Sequence, residues 1–189
     1  MRKLFLTLAL TTSFLSAQNL LAQDTHKDGH NVKVNVPKVA LLDLEADGSK
    51  TITLAPTAPD EAGEFLDFSK ANNKDLWINY SSVIGRSGNR KVVVKITDGQ
   101  VPGGMDLFVT ADKPQHGKGN LGEPTGKVLI SRTGKDLIKG IGSCYTDDGP
   151  RKGHRLNYEL RLSKESNSVS KVNFDHSNTL TITYTLTDN

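Results

Sequence analysis

The closing stretch TLTITYTLT, residues 179 to 187, limits what this chain can fold into more than any other: Leu180, Ile182, Tyr184 and Leu186 alternate strictly with threonines. Successive side chains of an extended strand point to opposite faces, so a period of two specifies a strand with one buried and one wet face. LNYELRL repeats the device, setting Leu156, Tyr158, Leu160 and Leu162 against Asn157, Glu159 and Arg161. The two stretches are natural partners across one core, and burial of each of their eight apolar side chains contributes about 1.5 to 3 kcal/mol before conformational entropy is set against it. The final strand is expected to be central, with only its even-numbered face buried.

The same period recurs through the chain. NVKVNV (Val32, Val34, Val36) reads as the first strand, ended by Pro37, which has no N–H to donate to a ladder. The apolar run 39–44 follows, and the turn ADGSK leads into TITL at 51–54 as a hairpin. Phe65, Leu66 and Phe68 form a short aromatic strand. LWINYSS, KVVVKIT and the stretch from Met105 to Ala111 continue the series, with turn signals between them at the spacing of a sandwich or barrel. Val172 and Phe174 are expected to plug one end of the core. No span carries a long apolar period of 3.6. The prediction is therefore an all-β, antiparallel sandwich of about eight to ten short strands over residues 31–189, with no helix beyond one or two turns.

The first residues, MRKLFLTLALTTSFLSAQNLLAQ, have a charged start at Arg2 and Lys3, an apolar stretch and small residues at Ala17 and Ala22, the pattern of a secretory signal peptide over 1–22. Residues 23–30 are expected to be a flexible mature start. The mature chain would be secreted, periplasmic or held at the cell surface, with no transmembrane segment, since no second apolar run exists. Over its 167 residues the formal charge is +1, with no basic stripe, so nucleic acid is not an expected partner. Cys144 is the single cysteine; a lone thiol in an oxidising compartment is either buried or linked to another chain, and the apolar company of Ile141 and Tyr145 favours burial.

Several groupings carry the outline of a site. His26 and His30 stand four apart, but Gly29 argues against the helix that would align them. Asp43, Glu45 and Asp47 before Gly48 approach a calcium loop, yet Glu45 and Leu54 stand where that loop needs other ligands. Gly117, Gly119 and Gly122 satisfy a phosphate-loop spacing without a helix to follow, so residues 112–126 read as a mobile loop. Cys144 has His154 ten residues on, across a turn. Trp77 falls on the face opposite Leu76, Ile78 and Tyr80, which fits a strand buried on both sides; Asn79 begins a glycosylation sequon in a strand interior, a poor acceptor. No acid, base and nucleophile come together, and no catalytic, cofactor or metal residue is assigned.

The leader, the alternating valines, LNYELRLS at 156–163 and the closing LTITYTLTD at 180–188 together resemble secreted bacterial pilin-like and spore-coat-protein-U-like β-sandwich proteins. The chain differs from them in having no cysteine pair. The resemblance implies an immunoglobulin-like or pilin-like sandwich and a non-enzymatic structural or adhesion role at the bacterial surface, as an appendage subunit among other subunits. Val32, Val34 and Val36 then become a candidate strand-exchange segment. The alternative is a monomeric extracellular module that holds carbohydrate or calcium.

Overall fold

The computed structural model describes residues 27–174 and 178–189. By contacts the chain divides into a first unit, Met1–Asn35, and a second, Val36–Asn189. Residues 27–35 of the first are exposed and carry no strand; the signal-peptide reading falls on residues outside those described, as does His26.

The second unit is all-β and antiparallel. Its longer strands are β1 (Val39–Ala46), β2 (Asn72–Val83), β3 (Arg90–Asp98), β4 (Met105–Ala111), β8 (Lys135–Ile141), β10 (His154–Leu162) and β11 (Thr181–Asp188). Four two-residue strands complete the set: β5 (Lys118–Gly119), β6 (Glu123–Pro124), β7 (Val128–Leu129) and β9 (Cys144–Tyr145). One short helical turn, Ser168–Lys171, lies between β10 and β11. In the first sheet β1 pairs with β2, β2 with β10, β10 with β4 and β4 with β7, while β9 and β5 extend the far end of β2. The second sheet runs β11-β3-β8-β6. Counted in chain order, the seven longer strands run first, second, sixth and fourth in the first sheet and seventh, third and fifth in the second, two antiparallel layers packed as a sandwich.

The core lies between the sheets. Leu76, Ile78 and Tyr80 from β2 and Leu156, Tyr158 and Leu160 from β10 meet Val92, Val94 and Ile96 from β3 and Leu137, Ile138 and Ile141 from β8. β10 and β11 face each other across it, their phenols Tyr158 and Tyr184 in contact. Leu180, Ile182, Tyr184 and Leu186 pack on this core half-buried, and Leu162 is half-buried at the end of β10.

Five sequence expectations are corrected. NVKVNV is not a strand, because alternation supplies faces but no partner, and the flank of β2 is paired by Val39–Ala46. TITL does not form a hairpin with β1; Ile52 and Leu54 pack on the core from an extended segment that joins no ladder. The aromatic strand reduces to a bridge between Thr57 and Asp67, leaving Phe68 on the core and Phe65 exposed. β11 is an edge strand rather than a central one. Phe174 does not plug the core, being 96% exposed, although Val172 is half-buried against Gly104.

Residues 112–126 are also more ordered than expected. β5 pairs with β9 in the first sheet, and β6 with β8 in the second, so the segment bridges both sheets. Its glycines make this possible: Gly117 and Gly119 adopt φ of 97° and 91°, and a Cβ there would run into the carbonyl oxygens of Tyr145 and Ser143. The glycine spacing serves close backbone pairing, not a phosphate cradle.

Candidate functional site

Cys144 and His154 do not form a nucleophile and base. Both enter the core because their strands turn those positions inward. The His154 ring stacks on Tyr80 with centroids 5.5 Å apart. Its Nδ1 lies 2.8 Å from the Asp112 carbonyl and its Nε2 2.6 Å from the Tyr80 hydroxyl, which also contacts the Leu121 carbonyl. Both ring nitrogens are thus committed, and their partners fasten the glycine-rich segment to the sandwich. Burial pushes the His154 imidazolium down and the Tyr80 phenol well up. Burial likewise pushes the Cys144 thiol up to about 11, against a smaller opposing pull from Arg90, so at neutral pH it carries its proton.

The other candidate groups are also occupied structurally. Asp43 accepts from the Leu44 amide at 2.7 Å and pairs with Lys50, whereas Asp47 pairs with Arg151 at 2.8 Å, so the acidic turn does not converge on a cation. Among the described residues no group of three or more His, Cys, Asp or Glu side chains gathers as a metal site. Trp77 is buried on the outer face of the first sheet under the Arg155 guanidinium, and is no open platform for a sugar. Asn79 is buried with its Nδ2 donating to the Gly149 carbonyl, which closes it to glycosylation.

Among the described residues β1 and β11 are each paired on one side only, and β11 is the open edge of the second sheet. Arg90, 1% exposed, opens β3 and reaches three other strands. Its Nη1 donates to the Val39 carbonyl on β1 and to Ser82 Oγ on β2, and its Nε to Asp188 Oδ1 on β11 at 2.8 Å. Lys38 Nζ takes the other carboxylate oxygen of Asp188, also at 2.8 Å. This clasp closes one end of the seam between β1 and β11. Lys38 and Arg90 hold the Asp188 carboxyl below the usual carboxylate range. Beyond the clasp β11 shows its outer backbone edge, and no described strand pairs with it. Comparison with protein-family models, curated proteins and solved structures finds no match to this chain.

Sequence reasoning overlooked Arg90. The signal was present, because residues 90, 92, 94 and 96 share one face of β3, and a charged side chain on an inward face marks a buried ionic contact. The valines singled out from the sequence, Val32, Val34 and Val36, are 73%, 78% and 75% exposed. No described helix is long and apolar enough to cross a membrane.

Proposed function

We propose that this chain is a non-enzymatic structural subunit of a bacterial cell-surface assembly, secreted and then joined to neighbouring copies by strand addition. The arm carrying Val32, Val34 and Val36 would lie along the outer edge of β11 in the next copy, its valines covering the half-exposed side chains of Ile182, Tyr184 and Leu186. The observation that carries the reading is the pairing of opposites: an apolar, alternating segment without a strand of its own, and an edge strand whose apolar face is half covered. Added strands contribute backbone hydrogen bonds for affinity and alternate side chains for specificity.

The test is polymer formation by the purified chain, followed in non-denaturing gels and by light scattering. Val34→Asp should abolish a ladder of species that resists high salt, while the monomer keeps its circular dichroism spectrum. A ladder unchanged by Val34→Asp, or a wild-type chain that stays monomeric at every concentration, would count against strand addition.

A further inference from the structure

The near-neutral total conceals a separation of charge. Residues 39–69 carry seven acidic side chains, Asp43, Glu45, Asp47, Asp60, Glu61, Glu64 and Asp67, against Lys50 alone. Residues 84–97 carry four basic side chains and no acidic one, and residues 124–141 carry Lys127, Arg132, Lys135 and Lys139 against Asp136 alone. Arg90 of the first basic group reaches β1, whereas the second basic group, 124–141, includes β7 and β8 away from β1. β1 lies at one edge of the first sheet, and β7 forms the opposite edge, where it contacts β8 of the second sheet.

Each side also has an apolar element beside its charge. The groove between β7 and β8 is lined by Lys127, Lys135, Lys139, Thr125 and the exposed Leu129, with Asp136 as its acid. Asp136 is shared by Lys91 and Lys139, at 3.2 Å from each, Lys127 is paired with Glu159, and Lys135 has no ion pair among the described residues. On the acidic side, Asp60, Glu61 and Glu64 are exposed, make no ion pair among the described residues, and lead directly into the exposed Phe65.

We infer that the strap from Asp60 to Phe65 of one copy docks in the lysine-lined groove between β7 and β8 of a second copy. The acids meet the unpaired Lys135 ammonium beside the paired Lys127 and Lys139, and Phe65 rests against Leu129. The two surfaces are different patches, so the contact is head-to-tail, and each bound copy keeps one strap or one groove free for a further copy. It is separate from strand addition: it needs neither the valine arm nor the edge of β11, and exposed charges make it salt-sensitive.

Sedimentation velocity on the purified chain tests it, comparing about 20 mM with about 0.5 M sodium chloride, where screening lengths differ several-fold. Reversible association is expected at low salt and its loss at high salt. Lys135→Glu with Lys139→Glu, and separately Asp60→Lys with Glu61→Lys, should each weaken low-salt association by about tenfold or more while leaving the circular dichroism spectrum intact. Mixed together, the two variants should form a complex of two and no larger, since each keeps one working surface. Three results would overturn the inference: no association at low salt, association that survives in both variants, or low-salt binding of polyglutamate by the wild type without self-association, which would assign the groove to a foreign acidic polymer. Species that persist at high salt and vanish with Val34→Asp report on strand addition, not on this contact.

Discussion

β10 and β11 are written in the same pattern and end in different places. Both alternate apolar and polar residues over a similar length, and both turn their apolar side chains into one core. β10 lies between β2 and β4, and Leu156, Tyr158 and Leu160 are buried; β11 has β3 on one side only, and Ile182, Tyr184 and Leu186 stay half-buried. The period of a strand tells which face is inward, whereas its place in the sheet decides how completely that face is covered. A strongly patterned strand left at an edge invites a further strand, and this is why β11 rather than β10 is the place to look for a partner.

The largest expected effect follows directly from that difference. Leu156→Ala removes a fully buried side chain between two paired strands and should cost about 2 to 5 kcal/mol. Ile182→Ala on the edge should cost less than half as much, since part of the lost contact is with solvent. Urea unfolding of the two variants measures both. Equal losses would mean that β11 is covered in solution, and if the difference between the variants shrank as protein concentration rose, the cover would be another copy.

Titration separates the strands a second way. His154 starts β10 and is held neutral by burial, so the unfolded chain takes up a proton below about pH 6.5 that the folded chain resists. More protons bound in the unfolded state means that stability falls as pH drops through that window. The His154→Gln variant should lose this slope between about pH 6.5 and 5. Asp188 closes β11 with the opposite sign of shift: Lys38 and Arg90 hold its carboxyl low, so its contribution is present at neutral pH and disappears only in more acid solution, as pH falls through the folded value. Asp188→Asn should alter the acid limb and leave the His154 window unchanged. Unfolding free energies measured across the pH range check both signs.

Local patterning in the sequence made the sandwich legible: the strands over LWINYSS, KVVVKIT and LNYELRL and the two-sided burial of Trp77 all follow from which residues alternate. Pairing was not legible, because alternation is the same for a central strand, an edge strand and an unpaired segment. NVKVNV satisfies the pattern as well as KVVVKIT does, yet only the second has neighbours to complete its ladder. The glycine-rich segment was misread for a related reason. Its glycines signal freedom in the sequence, but here that freedom is used to bring two backbones close together. The Arg90 clasp joins β3 to Val39 and Asp188, both distant in sequence, which no local window contains.

The smallest expected effect tests the face assignment itself. Thr183 lies opposite Lys95 on β3, and its hydroxyl is 2.9 Å from that of Thr97, on the face away from the core. Thr183→Asp replaces a good strand former with a poor one and removes one side-chain contact, which together should cost at most about 1 kcal/mol. The carboxylate also falls across from the ammonium of Lys95, and a favourable cross-strand charge pair offsets part of that loss. A one-residue slip of β11 against β3 would exchange its two faces and carry residue 183 into the core, where an unpaired carboxylate is among the most damaging changes a sandwich can receive. Destabilisation by Thr183→Asp greater than that caused by Ile182→Ala would therefore reverse the faces of β11, and with them the surface assigned to a neighbouring strand.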